Sequence, residues 1–271
     1  MRGTSQVSLD AAEARFEPVL RAAGAQASTL GEQLFALVDA LDSSGSLRRT
    51  LADPSIDGGA KARLAGQLLA DADPRVVEAV EGLARSRWSA DADLAEAVEH
   101  LAFHAVLASA EGAPGGLERV EQELFTIGKA LAGQRELRRV LFDEKIGAAA
   151  RGAVVDELLS GKAAPATEIL ARRAATAPRG RRYVATLHHL SDLIADRRRR
   201  QVATVTTATG LSEAQQSRLS QILEQAYGHA MQLNVIEDPH VIGGLRVQVG
   251  PEVVDATVLS RLADARRRLA S

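Results

Sequence analysis

The chain of 271 residues has no cysteine. That excludes a disulfide framework, a thiol nucleophile and a cysteine metal site. Aromatic residues are scarce, with five Phe, two Tyr and one Trp. They leave little for stacking on bases, caging a cation or lining an aromatic pocket. Lysine is nearly missing too, at 4 against 29 arginines. No run of about 18 apolar residues exists, so nothing in the sequence reads as a membrane span. The opening Met1-Arg2-Gly3-Thr4-Ser5-Gln6-Val7 lacks the apolar core of a signal peptide. The expectation is a cytosolic protein that can still sit on something membrane-bound.

What is present is alanine. Fifty alanines supply much of the 46% hydrophobic share, beside 25% charged residues. Alanine forms helix well and buries little area. The length suggests two domains or three small ones.

Residues 1 to about 200 read as helix throughout. Leu34, Leu37, Val38 and Leu41 fall at helical spacing after a Ser28 or Thr29 cap. Asp73-Pro74 places a cap before a proline at the first helical position, and Val76, Val77, Val80, Leu83 and Ala84 form the apolar stripe that follows. Residues 91–111 carry Leu94, Ala97, Val98, Leu101, Ala105 and Ala108. Breaks fall at residues 112–116, 161–165 and 177–180, all marked by Gly and Pro.

A repeat lies within this part. Leu47-Arg48-Arg49-Thr50-Leu51-Ala52-Asp53-Pro54-Ser55-Ile56 reads against Leu137-Arg138-Arg139-Val140-Leu141-Phe142-Asp143-Glu144-Lys145-Ile146, an offset of 90 residues. From residue 31 to 69 the same offset gives 13 identities in 39 positions without a gap. Similar composition alone rarely holds a constant register that long. Each unit would contain six helices. The first would place them near 8–24, 28–45, 46–52, 57–71, 73–88 and 91–110. The second would use 91–110 again, then 116–132, 134–142, 146–160, 165–177 and 180–200. The predicted domains are residues 1–90, 91–200 and 201–271.

From residue 201 the period becomes two. Val202, Thr204 and Thr206 alternate with Ala203, Val205 and Thr207 as a strand. A helix follows from a capping Ser212, with Leu219, Ile222, Leu223 and Ala226 on one face. Met231, Leu233 and Val235 mark a second strand, and Leu245, Val247 and Val249 a third. After the turn Gly250-Pro251-Glu252, Val253-Val254 can return as a short fourth strand. Thr257 to Leu269 reads as a closing helix. The expected fold class is mainly α, with duplicated six-helix-bundle-like units followed by a small β-α-β-β-α domain.

Charge divides along the chain. Residues 1–170 hold 18 basic and 26 acidic side chains, net −8, while residues 171–271 hold 15 and 9, net +6. Two different protein contacts would suit that division. No phosphate loop Gly-x-x-x-x-Gly-Lys-Ser/Thr occurs. Gly243-Gly244 precedes a strand and lacks dinucleotide spacing. His100 and His104 stand four apart on one helix, a spacing that can hold a metal, yet the sequence supplies no obvious third ligand. Helix-surface or interface histidines are the expectation, with no metal, no cofactor and no catalytic residue. Arg197-Arg198-Arg199-Arg200 and Arg266-Arg267-Arg268 suggest nucleic acid or an anionic membrane. Both fall late in a helix, where the dipole favours cations, and no aromatics are interleaved. The expectation is therefore no nucleic-acid partner.

The run Leu233-Asn234-Val235-Ile236-Glu237-Asp238-Pro239-His240-Val241-Ile242-Gly243-Gly244-Leu245-Arg246-Val247-Gln248-Val249-Gly250 resembles the signature of the F-type ATP synthase delta subunit family, which includes the mitochondrial oligomycin-sensitivity-conferring protein. The continuation from Glu252 to Leu262 fits the family's ending of apolar pair, Asp, small residues and Arg-Leu. The family signature thus falls on Asp238, Gly243, Gly244, Arg246, Gly250, Asp255, Arg261 and Leu262. Thr257 stands where the family usually has Ser, Ala256 where Gly is common, and Pro251 follows the turn glycine. Residues 1–90 exceed the usual delta length, as in the long Arg- and Ala-rich actinobacterial forms.

The resemblance implies a peripheral stator subunit without catalytic activity. It would be present in one copy on the cytoplasmic face of the cell membrane, with no span of its own. Its helical bundle would hold the N-terminal segments of the alpha subunits, and its C-terminal domain the ends of the b-type stalk. Proton flow would thereby be coupled to ATP synthesis. The family's groove between helices 1 and 5 maps here to residues 91–110 and 165–177. It points to Leu101, Ala105, Ala108, Ile169, Leu170 and Arg173 as partner-binding, unless they are ordinary bundle core. The first unit offers an equivalent pair, 8–24 and 73–88. The alternative is a helical adaptor with an Arg-rich nucleic-acid-binding C-terminal part.

Overall fold

A computed structural model describes residues 1, 3–143, 145–200, 202–227, 231–250 and 252–257, apart from the side chains of Ala132, Arg138, Phe142 and Arg200. The chain divides into two compact units, Met1–Ser191 and Asp192–Ser271.

The first unit is helical. In order come α1 (Thr4–Ala23), a 3-10 turn (Gly24–Gln26), α2 (Ala27–Ser43), α3 (Gly45–Ala52), α4 (Gly58–Leu68), α5 (Pro74–Arg85), α6 (Asp91–Glu111), α7 (Gly116–Gly133), α8 (Arg135–Phe142), α9 (Ala148–Leu159) and α10 (Pro165–Thr176); α11 (Tyr183–Arg200) follows, and the division between the units falls within it. The bounds follow the sequence pattern closely except at the start. There α1 begins four residues before the expected position, because Ser5 is buried and bonded. Its hydroxyl donates to Asp93 Oδ2 at 2.5 Å and accepts from the Ser89 amide at 2.8 Å. A polar contact of this kind leaves no mark on apolar periodicity. The expected Ser28 or Thr29 cap is corrected as well. Helix α2 begins at Ala27 straight from the 3-10 turn, and the Ser28 hydroxyl donates back to the Ala25 carbonyl. The Asp73 cap is as expected, accepting from the Arg75 amide at 2.9 Å ahead of Pro74.

Helix α6 is the centre of the unit. Thirteen of its 21 residues are buried, from Leu94 to Ala108. A helix apolar on every side must be covered on every side. It packs against α1, α2, α3, α5, α7 and α10. Against α2 the approach is closest, since a Cβ on Gly31 would stand 2.7 Å from Val106 Cγ2 and 2.9 Å from the Ala102 carbonyl oxygen. Phe35 and Phe103 meet there edge to face at 5.2 Å.

Contacts also repeat at the 90-residue offset, to within one position. Gln33 on α2 accepts from the Asp73 amide at 2.9 Å, just before α5. Glu123 on α7 accepts from the Ala164 amide at 2.9 Å and the Thr167 hydroxyl at 2.6 Å, at the start of α10. Asp53 and Asp143 each accept from the amide two residues on. Lys61 and Arg151 are both buried cations on the fourth helix of their set.

The second unit contains β1 (Val202–Thr207), α12 (Glu213–Tyr227), β2 (Gln232–Glu237), β3 (Leu245–Val249) and β4 (Glu252–Asp255). The sheet order is β2-β1-β3-β4, with β1 parallel to β2 and antiparallel to β3, and β4 antiparallel to β3. Ala203, Val205, Leu223, Met231, Val247 and Val249 form its core. Ser212 and Gln215 cap α12 reciprocally. The fourth strand that Val253-Val254 suggested is therefore a paired edge strand. The expected closing helix lies outside the described residues, as do Arg261, Leu262 and Arg266-Arg267-Arg268.

Candidate functional site

Three places concentrate the features that the sequence singled out. The first is the α6–α10 pair. Leu101, Ala105, Ala108, Leu170 and Arg173 are all buried, and Ile169 is half-buried. The two helices pack together, so the residues share one region of the bundle. Arg173, only 7% exposed, reaches across to α2. Its Nη1 donates to Asp39 Oδ1 at 2.7 Å, and its guanidinium lies 4.7 Å from the Phe35 ring centroid. Its Nε and Nη2 are buried without a hydrogen-bond partner.

A charged network adjoins it. Glu99 on α6, 4% exposed, pairs with Arg179 Nη1 at 3.1 Å and directly with Arg181 Nη2. Arg179 also pairs with Asp42 on α2 at 2.7 Å. Arg179 sits at φ 49°, the left-handed region, on the turn after α10. Acids from α2 and α6 thus anchor arginines that follow from α10 onward.

The second place is the equivalent pair α1–α5. It is open where α6–α10 is closed. A cleft of about 360 Å³ runs between them, with Ala12, Phe16, Val19, Ala79 and Gly82 along it and Arg15, Arg75 and Arg85 at the edges. Ala79 stands 90 residues before Ile169.

The third is the turn from β2 to β4 that carries the signature. Gly244 has φ 78°, and a Cβ there would fall 2.4 Å from the Ala256 carbonyl oxygen. Gly243 has φ 129° and Gly250 φ 56°. Arg246 and Asp255 face each other across β3 and β4, with Nη2 3.2 Å from Oδ2. Asp255 Oδ1 accepts from the Thr257 amide at 3.0 Å and its hydroxyl at 2.6 Å. These bonds hold the Asp255 carboxyl below its usual range, the Thr257 hydroxyl contributing most. Asp238 accepts from the His240 amide at 2.9 Å, and its own amide donates to the Thr207 carbonyl at 2.8 Å. Each described signature residue therefore sets a turn or joins two strands, and none faces a reactive partner. Threonine for serine at 257 keeps the hydroxyl that Asp255 needs.

A model of the ATP synthase delta (OSCP) subunit family matches residues 104–269. The chain belongs to this family. An ATP synthase subunit delta of Beutenbergia cavernae is 55% identical over 271 residues, all of both chains. Those of Kineococcus radiotolerans and Streptomyces avermitilis are each 44% identical, covering 99% of this chain and 97% and 98% of theirs. The family model begins within α6, whereas these relatives align from end to end. The front helices are therefore shared with delta subunits of the same length. A chain in the cryo-EM structure of the Toxoplasma gondii mitochondrial ATP synthase hexamer aligns over 62% of this chain and 95% of that one. The two are 20% identical, with a TM-score of 0.31.

Within this delta-family chain, the Arg197–Arg200 run is not one exposed basic face. Arg197 is 1% exposed, and Arg199 pairs with Asp196. No helix among the described residues is long and apolar enough to cross a membrane. The pattern of the sequence did not reveal Glu99, Arg179 or Gly31. Their partners lie 71 to 137 positions away, so no local spacing announces them. The one available signal was a glutamate inside a largely apolar helix, which requires a buried cation.

Proposed function

We propose that this delta-family chain is a stator subunit of an F-type ATP synthase. It joins the N-terminal segments of the alpha subunits to the ends of the b-type stalk, in one copy per complex, on the cytoplasmic face of the cell membrane. The observation that carries this reading is the 55% identity, over both whole chains, to a protein named ATP synthase subunit delta. A connector resisting torque needs stiffness and binding surfaces, and no reactive groups. A bundle built around one largely buried helix suits that need.

The two helical units overlap in this reading, with α6 closing the first and opening the second. The contacts repeated at the 90-residue offset support it. An amphipathic segment of an alpha subunit would then find its groove at α1–α5, where the cleft is open. At α6–α10 most of the corresponding side chains are already enclosed, leaving Ile169 as the accessible anchor.

The test is capture of the complex from solubilised membranes. The tagged full chain is expected to retain alpha and b subunits together, and their absence would overturn the stator reading. Among variants, Val19→Glu with Ala79→Glu should weaken alpha capture and leave b capture intact. Loss of alpha with Ile169→Glu instead would move the docking site to the second helix pair. A steep fall of binding to DNA or RNA with salt would favour the adaptor reading.

A further inference from the structure

Helices α1 and α6 cross where three metal-ligating side chains meet. His100 and His104, four apart on α6, leave the helix on one face, and their ring centroids stand 4.5 Å apart. Glu13 comes from α1. Its Oε1 pairs directly with His100 Nε2 and lies 3.5 Å from His104 Nε2. One donor atom from each residue lies within 4.8 Å of the other two. His104 is 4% exposed and Glu13 17%, so two of the three are largely removed from water.

We propose that Glu13, His100 and His104 bind a divalent transition-metal ion, with Zn²⁺ the best match. Two imidazole nitrogens and one carboxylate oxygen form a ligand set that zinc accepts in tetrahedral geometry, leaving a fourth position for water. At zinc–nitrogen distances of about 2.0–2.1 Å, tetrahedral ligands stand roughly 3.3 Å apart. The Glu13–His104 separation of 3.5 Å is close to that edge. Imidazole donors disfavour Mg²⁺ and Ca²⁺, which take oxygen ligands. His100 borders a cleft of about 380 Å³ that also includes Gln6, Glu96 and His189. The cleft gives the ion an entry path and the fourth position its water. The effect of the site is mechanical, since one ion ties the first helix of the chain to the central one.

The sequence shows only the histidine pair. The third ligand stands 87 positions before His100 and arrives through packing.

The experiment uses the full chain, stripped with EDTA and dialysed, then titrated with ZnCl₂ by calorimetry and followed by thermal unfolding. The expected result is one Zn²⁺ per chain, a raised Tm, and a tetrahedral visible spectrum when Co²⁺ replaces Zn²⁺. His100→Gln and Glu13→Gln should each weaken Zn²⁺ binding about tenfold or more and remove the Co²⁺ spectrum. Their circular dichroism in EDTA should match that of the parent chain. His104→Gln is the more deeply buried change, so the other two keep the test decisive if it fails to fold. His240→Gln, on an exposed turn of the second unit, should bind as the parent does. No saturable binding, or binding that survives Glu13→Gln and His100→Gln, would overturn the proposal. Either result leaves the stator reading untouched.

Discussion

Single residues show where chemistry was legible and where packing hid it. Gly244 stood out in the sequence as half of a Gly-Gly pair before a strand, and its role is steric. A side chain would need both a left-handed backbone and the space held by the Ala256 carbonyl. Gly244→Ala should therefore cost about 1–3 kcal/mol. Hydrogen exchange should report it as lost protection across residues 245–256, with the helical unit unchanged. Asp73 was equally legible as a cap, and its electrostatics follow from Arg75. Side-chain hydrogen bonds from Arg75 hold its carboxyl down to about 2, with the backbone amide adding to them. An unfolded aspartate titrates near ~3.9. The folded pKa is the lower one, so the contribution is fully present above about pH 4 and fades as pH falls toward 2. Water screens this partly exposed pair, so the effect is a slope and not a large offset. Asp73→Asn should flatten the fall of Tm between about pH 4 and 2. An unchanged slope would rule out this origin.

At the scale of elements, the repeat and the helix bounds could be read because they depend on local spacing. How the helices dock could not. Gly31 looks like an ordinary interior glycine, a weak helix former, and only the approach of Ala102 and Val106 gives it a reason. At the 90-residue offset the second set has Glu121, so the tight α2–α6 approach belongs to the first set alone. Gly31→Val should separate the two helices at a cost of about 1–3 kcal/mol. A melting temperature within error of the parent would show that the interface adjusts freely. Glu99 is the converse case, a charge enclosed between two arginines. Glu99→Gln keeps the shape but takes the carboxylate from Arg181 and leaves Arg179 only the less buried Asp42. The expected loss is about 3 kcal/mol, or roughly 2–4 °C per kcal/mol in a unit of this size. Glu99 with its arginines and Gly31 with its close contacts bind distant segments to α6. The candidate groove residues lie on α6 and α10, two helices that pack together. Their enclosure depends in part on α2, which no spacing within 91–200 reveals.

For the whole molecule, the same dependence decides how the front of the chain can be studied. Deleting residues 1–90 is the obvious way to ask what the extra helices do in coupling. Helix α6 makes that deletion unclean. Ala102 and Val106 face Gly31, and Phe103 meets Phe35 edge to face, so removal of α2 opens an apolar strip along the central helix. Each large side chain returned to water costs about 1.5–3 kcal/mol, and Arg173 loses Asp39 as well. A chain beginning at residue 91 should therefore self-associate or melt well below the parent. Light scattering after size exclusion, with a thermal melt, measures both. If the shortened chain is instead a monomer with a parental melting temperature, α6 does not depend on the first set and the overlapping-unit architecture fails. If it associates, loss of proton pumping on deletion would report a damaged bundle. The front helices are then better tested by Val19→Glu with Ala79→Glu, which lie on the open cleft and leave the covering of α6 intact. With that variant, a fall in ATP-driven proton pumping at normal complex assembly would assign the front cleft a part in coupling. Unchanged pumping would leave it none.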